Sequence, residues 1–219
     1  MTAAFVPYPD PQARSADPVA DLQALHDTLR RRRSVREFST EPVEREVIEW
    51  LVRCAATAPS GANKQPWRFV CVSNPVLKQR IRAAAEAEER AFYATRASAR
   101  WLADLEPLGT DADKACLEAA PWLVVLFKLT RGDDGSQVYY ADESVGIAAG
   151  MFLAAAQQVG LATLTHTPSP MGFLQEILTR ERHEKPYLLI PVGWRADGCR
   201  VPQAALDKKP LESVSVWFT

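Results

Sequence analysis

Arginine dominates the stretch Arg30-Arg31-Arg32-Arg33-Ser34-Val35-Arg36. At the end of a helix such a run serves as a solvated face favoured by the helix dipole. It also fits a nucleic-acid or targeting patch. A third reading is a phosphate clamp, because the guanidinium fork takes phosphate bidentately and Ser34 with the backbone adds donors. A second stretch, Pro59-Ser60-Gly61-Ala62-Asn63-Lys64-Gln65-Pro66-Trp67, reads as a helix-to-strand turn or as a loop in which Gly61 brings backbone amides against a ligand.

Other chemistries find little support. No GxGxxG, GxxxxGK[ST] or GxSxG run occurs. Cys54, Cys71, Cys116 and Cys199 have no metal-ligand spacing, and His26, His166 and His183 are scattered, so separate thiols and no protein-built metal site are expected. A net charge of −1 gives no global bias toward nucleic acid. The start MTAAFVPYPDPQ has neither a basic head nor an apolar run, and no apolar stretch reaches the roughly 20 residues of a membrane span. A soluble, cytoplasmic protein is expected.

The elements that must position these residues follow from periodicity. A chain of 219 residues with 47% hydrophobic content is compatible with one domain, 1–219. Residues 1–18 read as an extended arm, and 196–219 as a second one. Helices are expected over Pro18–Arg31, Val43–Ala56, Val76–Tyr93 and Glu143–Val159. Gly146-x-x-x-Gly150 in the last permits close helix packing. Strands are expected at Trp67–Ser73, Trp122–Leu129, Leu161–Thr165 and Tyr187–Gly193. The charged, aromatic stretch Ala94–Ala112 reads as less regular. This order is not strict βαβ, so an α+β fold is expected, a central mixed sheet flanked by helices. Two extended ends and a long polar excursion point to a homodimer.

The two opening motifs together resemble the nitroreductase superfamily of FMN enzymes: RRSVREF, then APSGANKQPWRF. EERAFY at Glu88–Tyr93, Arg100-Trp101, Lys114 before AAP, YYADESVGIAAG, THTP at Thr165–Pro168, HEKPYLLIPVG and KKPLE resemble, in order and spacing, the iodotyrosine deiodinases within it. The likeness runs from about Val6 to the C-terminus. It implies a nitroreductase-like fold with FMN at the interface of two subunits. It implies that Arg32, Arg33, Ser34 and Arg36 hold the phosphate, ribityl chain and pyrimidine edge. Ser60, Thr165, His166, Thr167 and Lys208 join the cofactor shell, with the Thr165 hydroxyl beside flavin N5, where it favours one-electron steps. It further implies that the Ala62 backbone donates to a substrate phenolate and that residues 89–114 form a substrate lid. Two positions depart from the family pattern: His166 stands for a threonine, and Lys208 for an arginine, which keeps the charge and loses the fork.

The lid residues also make sense chemically. A free amino acid presents an ammonium, which Glu89 can pair, and a carboxylate, which Lys114 can pair. Tyr93 lies one helical turn after Glu89 and adds a hydrogen bond. Solvated surface charge is the alternative reading of Glu89 and Lys114. The resemblance implies reductive removal of halogen from halotyrosines, with NAD(P)H or a separate reductase as electron donor. The alternative is a general FMN nitroreductase or quinone reductase, for which the zwitterion would be dispensable.

Overall fold

The first helix begins where the Asp17 side chain accepts from the Ala20 N–H at 3.0 Å and Pro18 takes the first position. The computed structural model describes residues 3–8 and 13–219, so the expected arm 1–18 lies outside the described residues at 1, 2 and 9–12. Helix α1 spans Pro18–Leu29 and buries none of its residues. Helix α2 spans Arg45–Ala56 and buries Ile48, Leu51 and Ala55 at helical spacing. Strand β1 is Trp67–Val72. Asn74 caps helix α3, Pro75–Ala91, by accepting from the Leu77 N–H at 3.0 Å.

After α3 the stretch expected to be irregular is largely helical. A π-helical turn, Phe92–Arg96, leads to α4 at Ala99–Leu105, whose cap Ser98 accepts from the Trp101 N–H at 3.2 Å. A 3-10 turn, Glu106–Leu108, ends on Gly109 at φ +57°, a left-handed conformation that suits glycine. The remaining elements are α5 at Cys116–Ala119, β2 at Trp122–Leu129, α6 at Ala141–Gln158, β3 at Ala162–Thr163, α7 at Gly172–Ile177 and β4 at Glu184–Gly193. The C-terminal arm carries two 3-10 turns, Gln203–Ala205 and Leu211–Ser213, and neither buries a residue.

Among the described residues four strands form one sheet in the order β1-β2-β4-β3, and each of these strand pairs is antiparallel. The sheet is mixed only through one parallel bridge, Ser34 to Thr163, beside the edge strand β3. Helix α6 connects β2 to β3, which are not neighbours, so among the described residues no β-helix-β unit builds a parallel ladder. The expected third strand shortens to β3 and resumes as a bridge between His166 and Leu189. Pro186 and Pro191 in β4 have no N–H to donate, and the register slips beside Pro186, where Tyr187 is left unpaired as a bulge.

Side-chain alternation along β2 sorts the core into two layers. Leu123, Val125 and Phe127 pack with Ile81 and Ala85 of α3, Leu117 of α5 and Leu174 of α7. Val124 packs with Leu51 and Ala55 of α2 and Phe152 and Ala156 of α6, and Leu126 meets Val145 of α6. All five of these β2 residues are fully buried. Helices therefore cover both faces of the sheet, the α+β arrangement expected.

Candidate functional site

One face of α3 organises the site. Lys78, Arg82, Glu86, Glu89 and Tyr93 recur at intervals of four, four, three and four, so they share a side of the helix and its π-helical extension. Buried Lys78 donates to the carbonyls of Glu118 (2.9 Å) and Ala120 (2.7 Å). Arg82 pairs Glu86 (2.6 Å), Asp113 (3.1 Å) and Glu118 (3.5 Å). Glu86 Oε1 accepts from the Lys114 N–H at 3.0 Å. Burial opposes ionisation of Glu86, but the bonds from Arg82 and from Lys114 N–H outweigh it and hold its carboxyl below the usual range. The helix thus fixes the backbone of 113–120, and Lys114 with it.

Glu89 and Lys114 then meet directly. Lys114 Nζ lies 3.4 Å from Glu89 Oε2, and the side chains are 10% and 13% exposed respectively. Lys114 Nζ also donates to the Asp111 carbonyl. Both line a cavity of about 780 Å³ together with Arg36, Tyr93, Trp101, Thr165, His166 and Thr167, a volume suited to a small organic ligand. Burial, reinforced by Glu89 and Asp111, raises the Tyr93 phenol above its ordinary value, so it stays a protonated donor. Phe92 sits edge-on to both Tyr93 and Trp101, with ring centroids 5.3 and 4.9 Å apart, and this aromatic group forms the outer wall.

The inner wall is the chain after β3. Thr165 and Thr167 are exposed, whereas His166 between them is buried, an extended alternation. Its side chain turns toward α3, where Nε2 stands 3.8 Å from Glu89 Oε1. Burial, with Lys114 and Arg36 nearby, pushes the imidazole down to about 4, so His166 is neutral near pH 7.

The arginine run divides. The bond from Val35 N–H to Thr163 O (3.0 Å) ties it to the sheet edge. Arg36 lines the main cavity. Arg32 and Arg33 line a neighbouring groove of about 450 Å³ with Arg31, Gln157, Arg195 and Cys199. The Arg33 guanidinium folds back on the carbonyl of Arg32 (2.7 Å). Arg32, Arg33, Ser34 and Arg36 are all half-buried. Their donor chemistry, three guanidinium groups and a hydroxyl on five consecutive residues, fits the phosphate and polar chain of a flavin mononucleotide.

The Ser60 loop lies elsewhere. Ser60 Oγ accepts from the Gln65 N–H at 2.9 Å, and Ala62, Asn63 and Gln65 take positive φ. A methyl on Gly61 would stand 2.7 Å from the Tyr139 carbonyl and 2.8 Å from the Tyr140 ring, so only glycine fits against the start of α6. Ser60, Ala62 and the exposed Lys208 line neither the cavity nor the groove. The structure therefore brings together Glu89, Tyr93, Lys114, Arg36, Thr165, His166 and Thr167, and leaves Ser60, Ala62 and Lys208 apart on the same chain.

Sequence reasoning missed the Lys78, Arg82 and Glu86 supports and the wall residue Phe92. The helical spacing of charges from Lys78 to Glu89 was the signal for the supports.

Comparison with known proteins gives concordant results. The nitroreductase family model matches residues 29–194. The iodotyrosine deiodinase of Haliscomenobacter hydrossis is 49% identical over 219 residues, covering 98% of each chain. Iodotyrosine deiodinase 1 of Homo sapiens is 40% identical over 96% of this chain and 74% of its own length. A crystal structure of oxidised iodotyrosine deiodinase bound to FMN and 3-iodo-L-tyrosine superposes with a TM-score of 0.74 at 29% identity, covering 89% of this chain and 98% of that one.

Proposed function

The chain belongs to the nitroreductase family and, within it, to the iodotyrosine deiodinases, and from that membership we propose that it removes halogen reductively from halotyrosines, yielding tyrosine and halide with FMN as cofactor. The observation that carries this reading is the Glu89–Lys114 pair at 3.4 Å inside the cavity, beside Tyr93 and Thr165. A free amino acid offers an ammonium for the one and a carboxylate for the other, and the internal pair opens to admit it. Hydrogen bonds to charged groups contribute about 1.5–3 kcal/mol each, so the zwitterion selects amino acids over plain phenols.

Arg32, Arg33, Ser34, Arg36 and Lys208 would hold the phosphate and polar chain of FMN, with Ser60, Thr165, His166 and Thr167 around it. When bound, the flavin supplies the reducing equivalents for halogen removal. Thr165 is exposed, and its hydroxyl would hydrogen-bond a ring nitrogen of the flavin. Ala62 sits at φ +49° in the Ser60–Gln65 loop, and its backbone N–H would bind a phenolate oxygen and favour the ionised phenol. Residues 89–114 form the lid that excludes water, their two ends joined by the Glu89–Lys114 pair.

We infer a homodimer from the surface left bare. Helix α1 exposes Val19, Leu22, Leu25 and Leu29 along one stripe, α6 exposes Ile147 and Gly150, and the C-terminal arm exposes Val214, Val216, Trp217 and Phe218. A second copy would cover this surface and bring its own Ser60 and Ala62 to the cavity. Among the described residues no helix is long and apolar enough to cross a membrane. NAD(P)H or a separate reductase supplies the electrons.

Steady-state comparison of 3-iodo-L-tyrosine with iodophenol and a nitroaromatic, under a chemical reductant, tests the reading. Efficient deiodination of the amino acid alone is expected. Nitroaromatic turnover without halotyrosine turnover would replace it with general nitroreductase activity.

A further inference from the structure

We propose that His166 is a positioning residue for Glu89 and thereby sets the preference of the amino-acid pocket for substrates bearing an ammonium group. The inference rests on the halotyrosine reading and adds a residue to it. Glu89 lies between two nitrogen donors. Its Oε2 faces Lys114 Nζ at 3.4 Å, and its Oε1 faces His166 Nε2 at 3.8 Å. His166 Nε2 is buried and has no hydrogen-bond partner among the described residues. A buried ring nitrogen without a partner costs free energy that a native site recovers on binding.

The His166 backbone sets the side of the chain from which the ring leaves. Its N–H and carbonyl bond Leu189 in both directions at 2.9 Å, so the register of the sheet fixes which way the side chain points. Among the charged and titratable groups around it are Glu89 on α3, Tyr93 on the π-helical turn, Asp111 and Lys114 on the following loop, and Arg36 on the arginine segment, with Glu37, Glu88, Arg96, Asp113 and Cys116 farther along the cavity wall. Arg36 and Lys114 add to burial in keeping the ring neutral. A neutral ring can donate one N–H without competing as a cation for the carboxylate.

When a substrate ammonium takes Glu89, it replaces Lys114 at Oε2, and Lys114 turns to the substrate carboxylate where there is one. Closing the 3.8 Å gap gives Oε1 an N–H from His166 and leaves Oε2 for the ammonium. His166 thus holds Glu89 in place while an ammonium occupies Oε2.

The test is calorimetric binding to the FMN-loaded protein of three ligands: 3-iodo-L-tyrosine, 3-iodotyramine, which has only the ammonium, and 3-(3-iodo-4-hydroxyphenyl)propionate, which has only the carboxylate. H166A is expected to weaken the first two roughly tenfold and leave the propionate within about twofold, since one charge-assisted hydrogen bond is lost only where Glu89 is used. H166Q, whose amide N–H reaches a similar distance, restores the affinity. Should H166A not fold, H166N, too short to reach Glu89, takes its place with the same expectation. Equal loss for all three ligands, no loss for any, or failure of H166Q to rescue overturns the assignment. Wild-type protein that does not bind 3-iodo-L-tyrosine overturns the functional reading itself, and this inference with it.

Discussion

Replacing Lys114 with Met keeps the length and volume of the side chain and removes its charge. At 3.4 Å the attraction between Lys114 and Glu89 is about 5 kcal/mol for an effective dielectric of 20. Desolvation of both groups offsets much of it. With side chains 10% and 13% exposed, the pair sits between surface pairs, about 1 kcal/mol or less, and buried pairs, whose disruption costs about 3–5 kcal/mol. Lys114→Met should therefore destabilise the protein by about 2 kcal/mol, because Glu89 is left charged in a poorly solvated place. For a chain of this size that is a Tm decrease of roughly 4–8 °C. Glu89→Gln on the same background removes the stranded charge, so the double variant should be more stable than the sum of the singles by about 1–2 kcal/mol. Binding follows a different rule. Each single variant loses one charged contact to the zwitterion and should weaken 3-iodo-L-tyrosine by about 10- to 100-fold. Denaturant unfolding and ligand titration on the four proteins of the cycle give both quantities. Strict additivity in stability, with unchanged ligand affinity in both singles, would refute the reasoning.

His166 is neutral when folded down to about pH 4, whereas an unfolded histidine titrates near 6.5, so the unfolded state binds more protons between these values. Stability is therefore full above pH 6.5 and falls toward pH 4, by on the order of 3 kcal/mol from this residue, and H166Q should flatten that part of the pH–stability curve. Gly61→Ala should displace the Ser60–Gln65 loop, since its methyl would meet backbone 2.7 Å away, and fluorescence titration should show FMN bound at least several-fold more weakly with little change in far-UV circular dichroism. Leu25→Glu, on the bare stripe of α1, should shift sedimentation from dimer to monomer and reduce FMN content together; a dimer unchanged by this charge would place the interface elsewhere.

How much of this was legible in the sequence depended on what each residue touches. Strand β2 was readable to the residue because Trp122–Phe127 is an apolar run that only Lys128 interrupts before Leu129, as a strand covered on both faces requires. Strand β4 was read three residues short: Glu184 and Lys185 look like loop, yet Glu184 is buried because Arg180 pairs it at 2.6 Å and lowers its carboxyl despite burial. Helix α4 was hidden because none of its residues is buried, so no apolar stripe marks it. A common pocket for Glu89 and Lys114 is the expectation from charge type and resemblance, but their direct pairing is not. Nor is the division of the arginine run between cavity and groove, or the turning of His166 toward Glu89. Both are set by non-local bridges, Val35 to Thr163 and His166 to Leu189, whose register no local pattern announces.

The most direct test is a single turnover. The FMN-loaded protein is reduced under anaerobic conditions, mixed with 3-iodo-L-tyrosine, and followed by flavin absorbance with quantification of tyrosine and iodide. Reoxidation of the flavin with one tyrosine and one iodide formed per flavin is the predicted result. A flavin that stays reduced in the presence of 3-iodo-L-tyrosine, yet is promptly reoxidised by a nitroaromatic or a quinone, would contradict the account.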